Sequence, residues 1–414
     1  MTSERIETRI GFSGVDVEVN PATGRPASAL QGILLLITSC LPVLGAVLLA
    51  PILPTLSQVF ADVPGSDALV PLILTVPALM IALIAPFAGS VVDRVGRKRL
   101  LVGALVVYAV LGTAPLYVSE LPGILLSRVG VGITEAAIMT CCTTLIADYF
   151  RGDRRNRYLS LQTVVTGLAA TLFFALGGAL GSSGWRIPFW VYSVSLAIAI
   201  PVAIFIWQPR SADLPGTVRT KLESIPWRLL AFPCAVTVFG GIVFYALIVE
   251  LPYVLNDLGV TDPAGIGVGT ALAALANALG AISFRWLARR GIRFLLPLSL
   301  GLAALGLGIV SFAPTAQVAM AGAIVTSLGT GLLLPTLLTW AISRLGFTQR
   351  GRGTGRWTAC FFFGQFASPL LLLALGSAVG GLAHALGALG LACGVAAVAL
   401  ALVVRTPVSA SVER

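Results

Sequence analysis

Charge is what this chain has least of. Only 11% of its 414 residues are Asp, Glu, Lys or Arg, against about 25% in a typical soluble domain, so a water-facing surface of ordinary extent cannot be built from it. Histidine is nearly absent, with His384 the only one, and the cysteines Cys40, Cys141, Cys142, Cys234, Cys360 and Cys393 all fall inside apolar stretches without zinc spacing. No metal and no bound cofactor are therefore expected. A Ser/His/Asp arrangement and a paired-carboxylate site are missing as well, so an enzyme is not expected. The first residues are polar and mixed in charge, the opposite of a secretory signal, so the first apolar segment should be retained.

What is abundant is apolar side chain, 57% of the total. Twelve membrane-spanning helices of about 24 residues would use roughly 290 residues and leave about 120 for loops and tails. Apolar runs interrupted by Pro, Gly and charge clusters place spans near 30–56, 68–92, 100–118, 121–147, 158–181 and 187–207, and again near 229–255, 265–286, 294–312, 316–343, 355–378 and 381–404. A hydrocarbon core offers the backbone no hydrogen-bond partners, so segments of this length must be helices. The expected class is an all-α integral membrane protein in contact with the lipid bilayer.

Net charge is +10, but its placement points to topology rather than to nucleic acid. Arg5, Arg9 and Arg25 precede the first span, Arg94, Arg97, Lys98 and Arg99 follow the second, and Arg151, Arg154, Arg155 and Arg157 follow the fourth. Arg210, Arg219, Lys221 and Arg228 follow the sixth, and comparable clusters follow the eighth and tenth. The loops between these clusters hold only Arg186. Under the positive-inside rule the span count is even and both termini are cytoplasmic.

The longest polar stretch between spans, 208–228, divides the chain into halves. The expected organisation is an N-terminal tail (1–29), a six-helix bundle (30–207), a connector (208–228), a second six-helix bundle (229–405) and a C-terminal tail (406–414). Arg-rich turns recur at matching places in the halves, a duplication typical of transporters that rock two bundles about a midplane site.

The segment Gly89-Ser-Val-Val-Asp93-Arg94-Val-Gly96-Arg97-Lys98-Arg99 is similar to the GxxxDRxGR(R/K) signature between helices two and three of the major facilitator superfamily. Arg128-Val-Gly130-Val-Gly132 resembles its RxxxG element, and Gly184-Trp185-Arg186-Ile-Pro-Phe189 resembles its junction between helices five and six. The resemblance runs from about residue 30 to about 405. It implies twelve helices in two pseudo-symmetric bundles, a central cavity and alternating access. It also implies that Asp93 and Arg97 pair with Asp148 at the end of span four, a cluster that would latch the outward-facing state. Gly89 and Gly96 would allow close helix approach and a tight turn beside Arg94. The alternative is that these charges only anchor the loop at the headgroups.

Glu135, near the middle of span four, is the most informative acidic residue. A charge at the bilayer centre costs on the order of 2.5 to 3.5 kcal/mol, so it should face the bundle interior or a watery cavity. Seven residues place Arg128 on the same helical face, roughly 10 Å away along the axis. The functional reading is that Glu135 takes up and releases a proton while Arg128 tunes it or binds an anionic group; the bland one is a structural carboxylate. Gly-Ile-Thr-Glu135-Ala-Ala, followed by Leu-Ile-Ala-Asp148-Tyr-Phe, is similar to spinster-like and drug:proton antiporter members, although span one here has no acidic residue between Leu30 and Phe60.

Tyr245, Trp340 and Gln365, polar-tipped residues of the second half, are candidates for lining the cavity and touching substrate; Glu250 reads as structural. Motifs of sugar porters and peptide symporters are missing, and Arg128 has no counterpart in the second half, so phosphate esters are disfavoured. An apolar cavity suits amphipathic organic molecules. The expected activity is proton-coupled efflux of such compounds by a functional monomer. The alternative is proton-coupled import of a small aromatic or carboxylic acid. Twenty-five arginines against two lysines suggest a GC-rich bacterium, hence its inner membrane.

Overall fold

The computed structural model describes residues 17–20, 24, 26–209, 227–346 and 349–404. Among these the secondary structure is helical apart from two isolated bridges. Among the described residues, twelve helices are long and apolar enough to cross a membrane. The first half holds Ala29–Val59, Ser66–Ile84, Arg97–Leu116, Leu121–Tyr149, Gly152–Gly181 and Ile187–Phe205. The second holds Arg228–Asp257, Pro263–Arg290, Ile292–Ser311, Ala316–Ser343, Arg350–Val379 and Leu382–Val403. All twelve expected spans are present.

Proline explains the two departures that matter for the site. Span one is broken into Ala29–Thr38, Leu41–Val47, a 3-10 turn at Ala50–Ile52, and Leu53–Val59; Pro42, Pro51 and Pro54 each remove a backbone donor and crowd the preceding turn. Span two stops at Ile84 rather than near 92, and after Pro86 a separate short helix, Ala88–Val95, carries the charged motif.

Each half closes over its own apolar interior. Leu35, Leu105, Ile124, Leu145 and Tyr192 are wholly buried in the first, while the second has one cluster around Leu251, Leu307 and Leu386 and another around Leu296, Leu337 and Trp340. The halves meet along two seams, span five against span eight and span two against span eleven. In the first seam Gly178 and Gly267 bring backbone against backbone: a Cβ on Gly178 would lie 2.7 Å from the Gly267 Cα.

The connector expected at 208–228 and the tail at 406–414 lie mostly or wholly outside the described residues. Part of the N-terminal tail is docked. The Glu18 N–H donates to the Tyr149 carbonyl at 2.8 Å, the Ala27 N–H donates to the Glu18 carbonyl at 2.8 Å, and Val17 is buried in the first half's core. Backbone pairing with the end of span four supplies what composition alone does not.

Candidate functional site

A cavity of about 850 Å³ lies between the halves, lined by spans one, two, four, five, seven, eight, ten and eleven. Its wall is mostly apolar, with Phe174, Phe244, Phe361 and Phe362 among the lining residues. Among the described residues lining it, Glu135 and Arg285 are the only charged ones. Neutral hydrogen-bonding groups supply the rest of the polarity: the Gln162 amide donates to Ser39 Oγ at 2.8 Å and Thr143 Oγ1 at 3.3 Å, and the Asn277 amide donates to Thr330 Oγ1 at 3.0 Å.

The cavity is asymmetric along the membrane normal. Toward the arginine-rich ends of the helices its lining continues to Ser160 and Arg285. Toward the opposite end it stops at Phe174, Leu251 and Thr270, and there the halves are tied together. Ser57 and Tyr253 share a hydrogen bond of 3.0 Å, the Ser182 hydroxyl donates to Asp262 Oδ1 at 2.7 Å, and the Ala264 N–H donates back to Ser182 Oγ at 3.1 Å. The Ser182 bond and the backbone N–H groups of Ala264 and Gly265 hold the Asp262 carboxyl below the usual carboxylate range.

Glu135 lies in the cavity wall with 1% of its surface exposed. Its carboxyl packs on Gly45 of the broken first span, where any Cβ would collide with Oε1, and Oε1 has no hydrogen-bond partner among the described residues. Two phenols flank this point. The Tyr108 hydroxyl donates to the Leu41 carbonyl at 2.7 Å, and that of Tyr245 to the Ala46 carbonyl at 2.8 Å.

Arg128, one of the two residues assigned to coupling, lies elsewhere. It does not line the cavity. Its guanidinium donates to the Leu111 and Gly112 carbonyls at 3.0 and 3.1 Å and faces the Tyr192 and Phe189 rings at 5.0 and 5.4 Å. It thus caps the end of span three, whose last carbonyls lack helical partners. Shared helical face did not decide the matter, because spans three and six cover the Arg128 end and span one covers the Glu135 end.

The charged motif assembles as the resemblance implies. Arg97 Nε pairs with Asp148 Oδ2 at 2.6 Å and Arg97 NH2 with Asp93 Oδ1 at 3.3 Å. Gly96 adopts φ +92°, which favours glycine, and leaves room for Gln208, whose Oε1 accepts the Lys98 N–H at 3.1 Å. Arg94 is exposed, and Gly89 faces open space rather than a neighbouring helix. All three members of the ion cluster belong to the first half, and it is formed here while the opposite end is closed. A bond inside one half does not by itself choose between arrangements of the two halves.

Of the three substrate candidates, Tyr245 and Gln365 line the cavity and Trp340 does not. Trp340 is buried in the second half, edge-on to Phe232 with centroids 5.6 Å apart. Glu250 is buried outside the cavity lining, and His384 is exposed near the start of span twelve. Gly45, Gln162, Asn277 and Arg285 were missed. An amide in the middle of an apolar span was a usable signal for Gln162 and Asn277; nothing local distinguishes Gly45 from the many other glycines.

The family model of the Major Facilitator Superfamily matches residues 35–232 and 232–414, and the chain belongs to that superfamily. Two relatives cover most of it. The 3-(3-hydroxy-phenyl)propionate transporter of Escherichia coli (strain K12) is 27% identical over 70% of this chain and 74% of its own length. The class G tetracycline resistance protein of Vibrio anguillarum is 27% identical over 85% of this chain and 91% of its own. Among solved structures, a bacterial homolog to the human lysosomal transporter Spinster superposes with TM-score 0.68 at 16% identity, covering 91% of this chain and 95% of the other. The D-xylose-proton symporter gives TM-score 0.73 at 13% identity, covering 90% and 97%. The fold is that of these transporters, and the chain is a multi-pass membrane protein of a transporter family.

Proposed function

We propose that this chain is a proton-coupled secondary transporter that exports small amphipathic organic compounds across a bacterial inner membrane, with both termini cytoplasmic. The observation that carries the reading is Glu135. Among the described residues it is the single carboxyl in the wall of an apolar cavity between the two halves, with one oxygen left without a partner, and a buried ionised carboxylate is costly unless paired. A carboxyl that holds its proton in one arrangement and loses it in the other couples the proton gradient to transport. Aromatic and aliphatic walls with scattered amides and hydroxyls suit an amphipathic substrate, and one relative bears the name of a tetracycline resistance protein. Both walls of the cavity come from one chain, which supports a functional monomer.

Import of an aromatic acid is the second reading. It is favoured by Arg285, a cation in the lining toward the arginine-rich end, and by the relative named for hydroxyphenylpropionate. One experiment separates the two: proteoliposomes under an imposed pH gradient, offered a tetracycline, a lipophilic cation and a phenylpropionic acid, with wild type beside Glu135→Gln. Expected is gradient-driven movement of the first two compounds opposite to the proton flow, lost in the variant while exchange without a gradient survives. Movement of the phenylpropionate with the protons selects import, and undiminished accumulation by Glu135→Gln overturns the coupling role.

A further inference from the structure

Two of the hydroxyls near Glu135 are already engaged, that of Tyr108 with the Leu41 carbonyl and that of Tyr245 with the Ala46 carbonyl, while the Tyr192 hydroxyl has no hydrogen-bond partner among the described residues. Arg128 on its own helix, Tyr108 on span three, Tyr192 on span six and Tyr245 on span seven are the titratable groups close enough to act on it electrostatically. Among these described groups, Tyr108, Arg128 and Tyr192 belong to the same half as Glu135, and Tyr245 alone comes from the other. Its ring is buried, with 2% exposed, and its hydroxyl crosses the interface to the Ala46 carbonyl at 2.8 Å, with the Leu74 carbonyl 3.4 Å away. Ala46 directly follows Gly45, the residue on which the Glu135 carboxyl rests. The break in span one is what presents this stretch of backbone to both partners.

From this geometry, and resting on the proton-coupled reading above, we infer that Tyr245 is the positioning residue through which the protonation state of Glu135 sets closure of the end opposite the arginine-rich one. With Glu135 neutral, the Tyr245 hydroxyl stays on the Ala46 carbonyl and clamps span seven to span one, as observed. Loss of the proton leaves a buried carboxylate in need of donors, and a hydrogen bond to an ionised acceptor is roughly twice as strong as one to a carbonyl. The Tyr245 hydroxyl then turns from Ala46 to Glu135, one inter-half bond is lost, and the opposite end is released. Tyr108 answers the same charge without consequence for the interface, because the Leu41 carbonyl it leaves is in its own half. The proton thereby acts on the conformation through a hydroxyl that has two possible acceptors.

The test is a distance measurement across the opposite end. Spin labels at Ala61→Cys and Asp257→Cys, both exposed, in a background whose six native cysteines are replaced, report the closed fraction of the full chain in lipid across about pH 5 to 9. Wild type is expected to lose the closed population as pH rises, and Glu135→Gln to stay closed throughout. Tyr245→Phe removes one oxygen from a buried ring and is expected to shrink the pH-dependent swing to less than about a third of wild type; Tyr245→Leu repeats the test if the Phe variant does not fold. A full wild-type swing in Tyr245→Phe, with Glu135→Gln flat, overturns the role of Tyr245 and leaves proton coupling standing. A wild-type swing in Glu135→Gln overturns both.

Discussion

The contact of Glu135 with Gly45 is one atom wide, and that makes it sensitive. A methyl group at Gly45 would occupy the space of the carboxyl oxygen, so Gly45→Ala must push either the side chain or the first span aside. Overpacking of a dense interior costs about 1–3 kcal/mol. The expected result is a lower melting temperature in detergent and, in proteoliposomes, gradient-driven transport reduced more than gradient-free exchange. Arg128 makes the contrasting case. Replacing it with Met keeps the bulk under Tyr192 but strips the Leu111 and Gly112 carbonyls of their donors, at about 1–3 kcal/mol for each buried group left unsatisfied. Thermal stability should fall, while the KM for substrate stays within about twofold, because nothing in the cavity is touched. A large change in KM would return Arg128 to the binding site. Glu135 was legible because an acid in an apolar span has few explanations; the division of labour between it and Arg128 was not, because it depends on which helices cover each end of span four.

At the level of elements, closure of the opposite end rests on where spans five and eight meet. Ser182 ends the first and Asp262 begins the second, so their hydrogen bond joins a helix C-terminus to a helix N-terminus across the halves. The Asp262 carboxyl is held below its usual range by this bond. The bond therefore contributes above the ordinary carboxylate pKa, at full strength when Asp262 is ionised, and is lost as pH falls through the lowered value. Below about pH 4 the opposite end should loosen, an effect opposite in sign to that of Glu135 and separated from it along the pH axis. Ser182→Ala should abolish the acid-side loosening and lower the closed fraction at neutral pH, read with the same pair of labels; an unchanged acid limb would show that the clasp carries no part of closure. The sequence signalled neither partner. Both are ordinary helix-end residues, and only the antiparallel register of the two spans, pinned by Gly178 against Gly267, sets them face to face.

For the whole molecule, the proposed orientation rests on arginine. The turns after spans two, four, eight and ten carry basic clusters on one side, and Arg186 is the basic residue described in the loops of the other. A fluorescent protein fused after Arg414 should fluoresce in cells, and alkaline phosphatase fused there should be inactive; the reverse pattern would invert every statement about which way the cavity faces. What the sequence by itself determined is what depends on local physics: helices, because the bilayer offers the backbone no partners; their number and alternation, because charge cannot cross; the family, because the charged motif after span two is read residue by residue. Only the tertiary structure decided which polar groups share a space. Trp340 and Arg128 turned into the bundle walls and Gly45 and Tyr245 came to lie beside Glu135, since contact between helices far apart in the chain is set by their packing and breaks, which no helical period records.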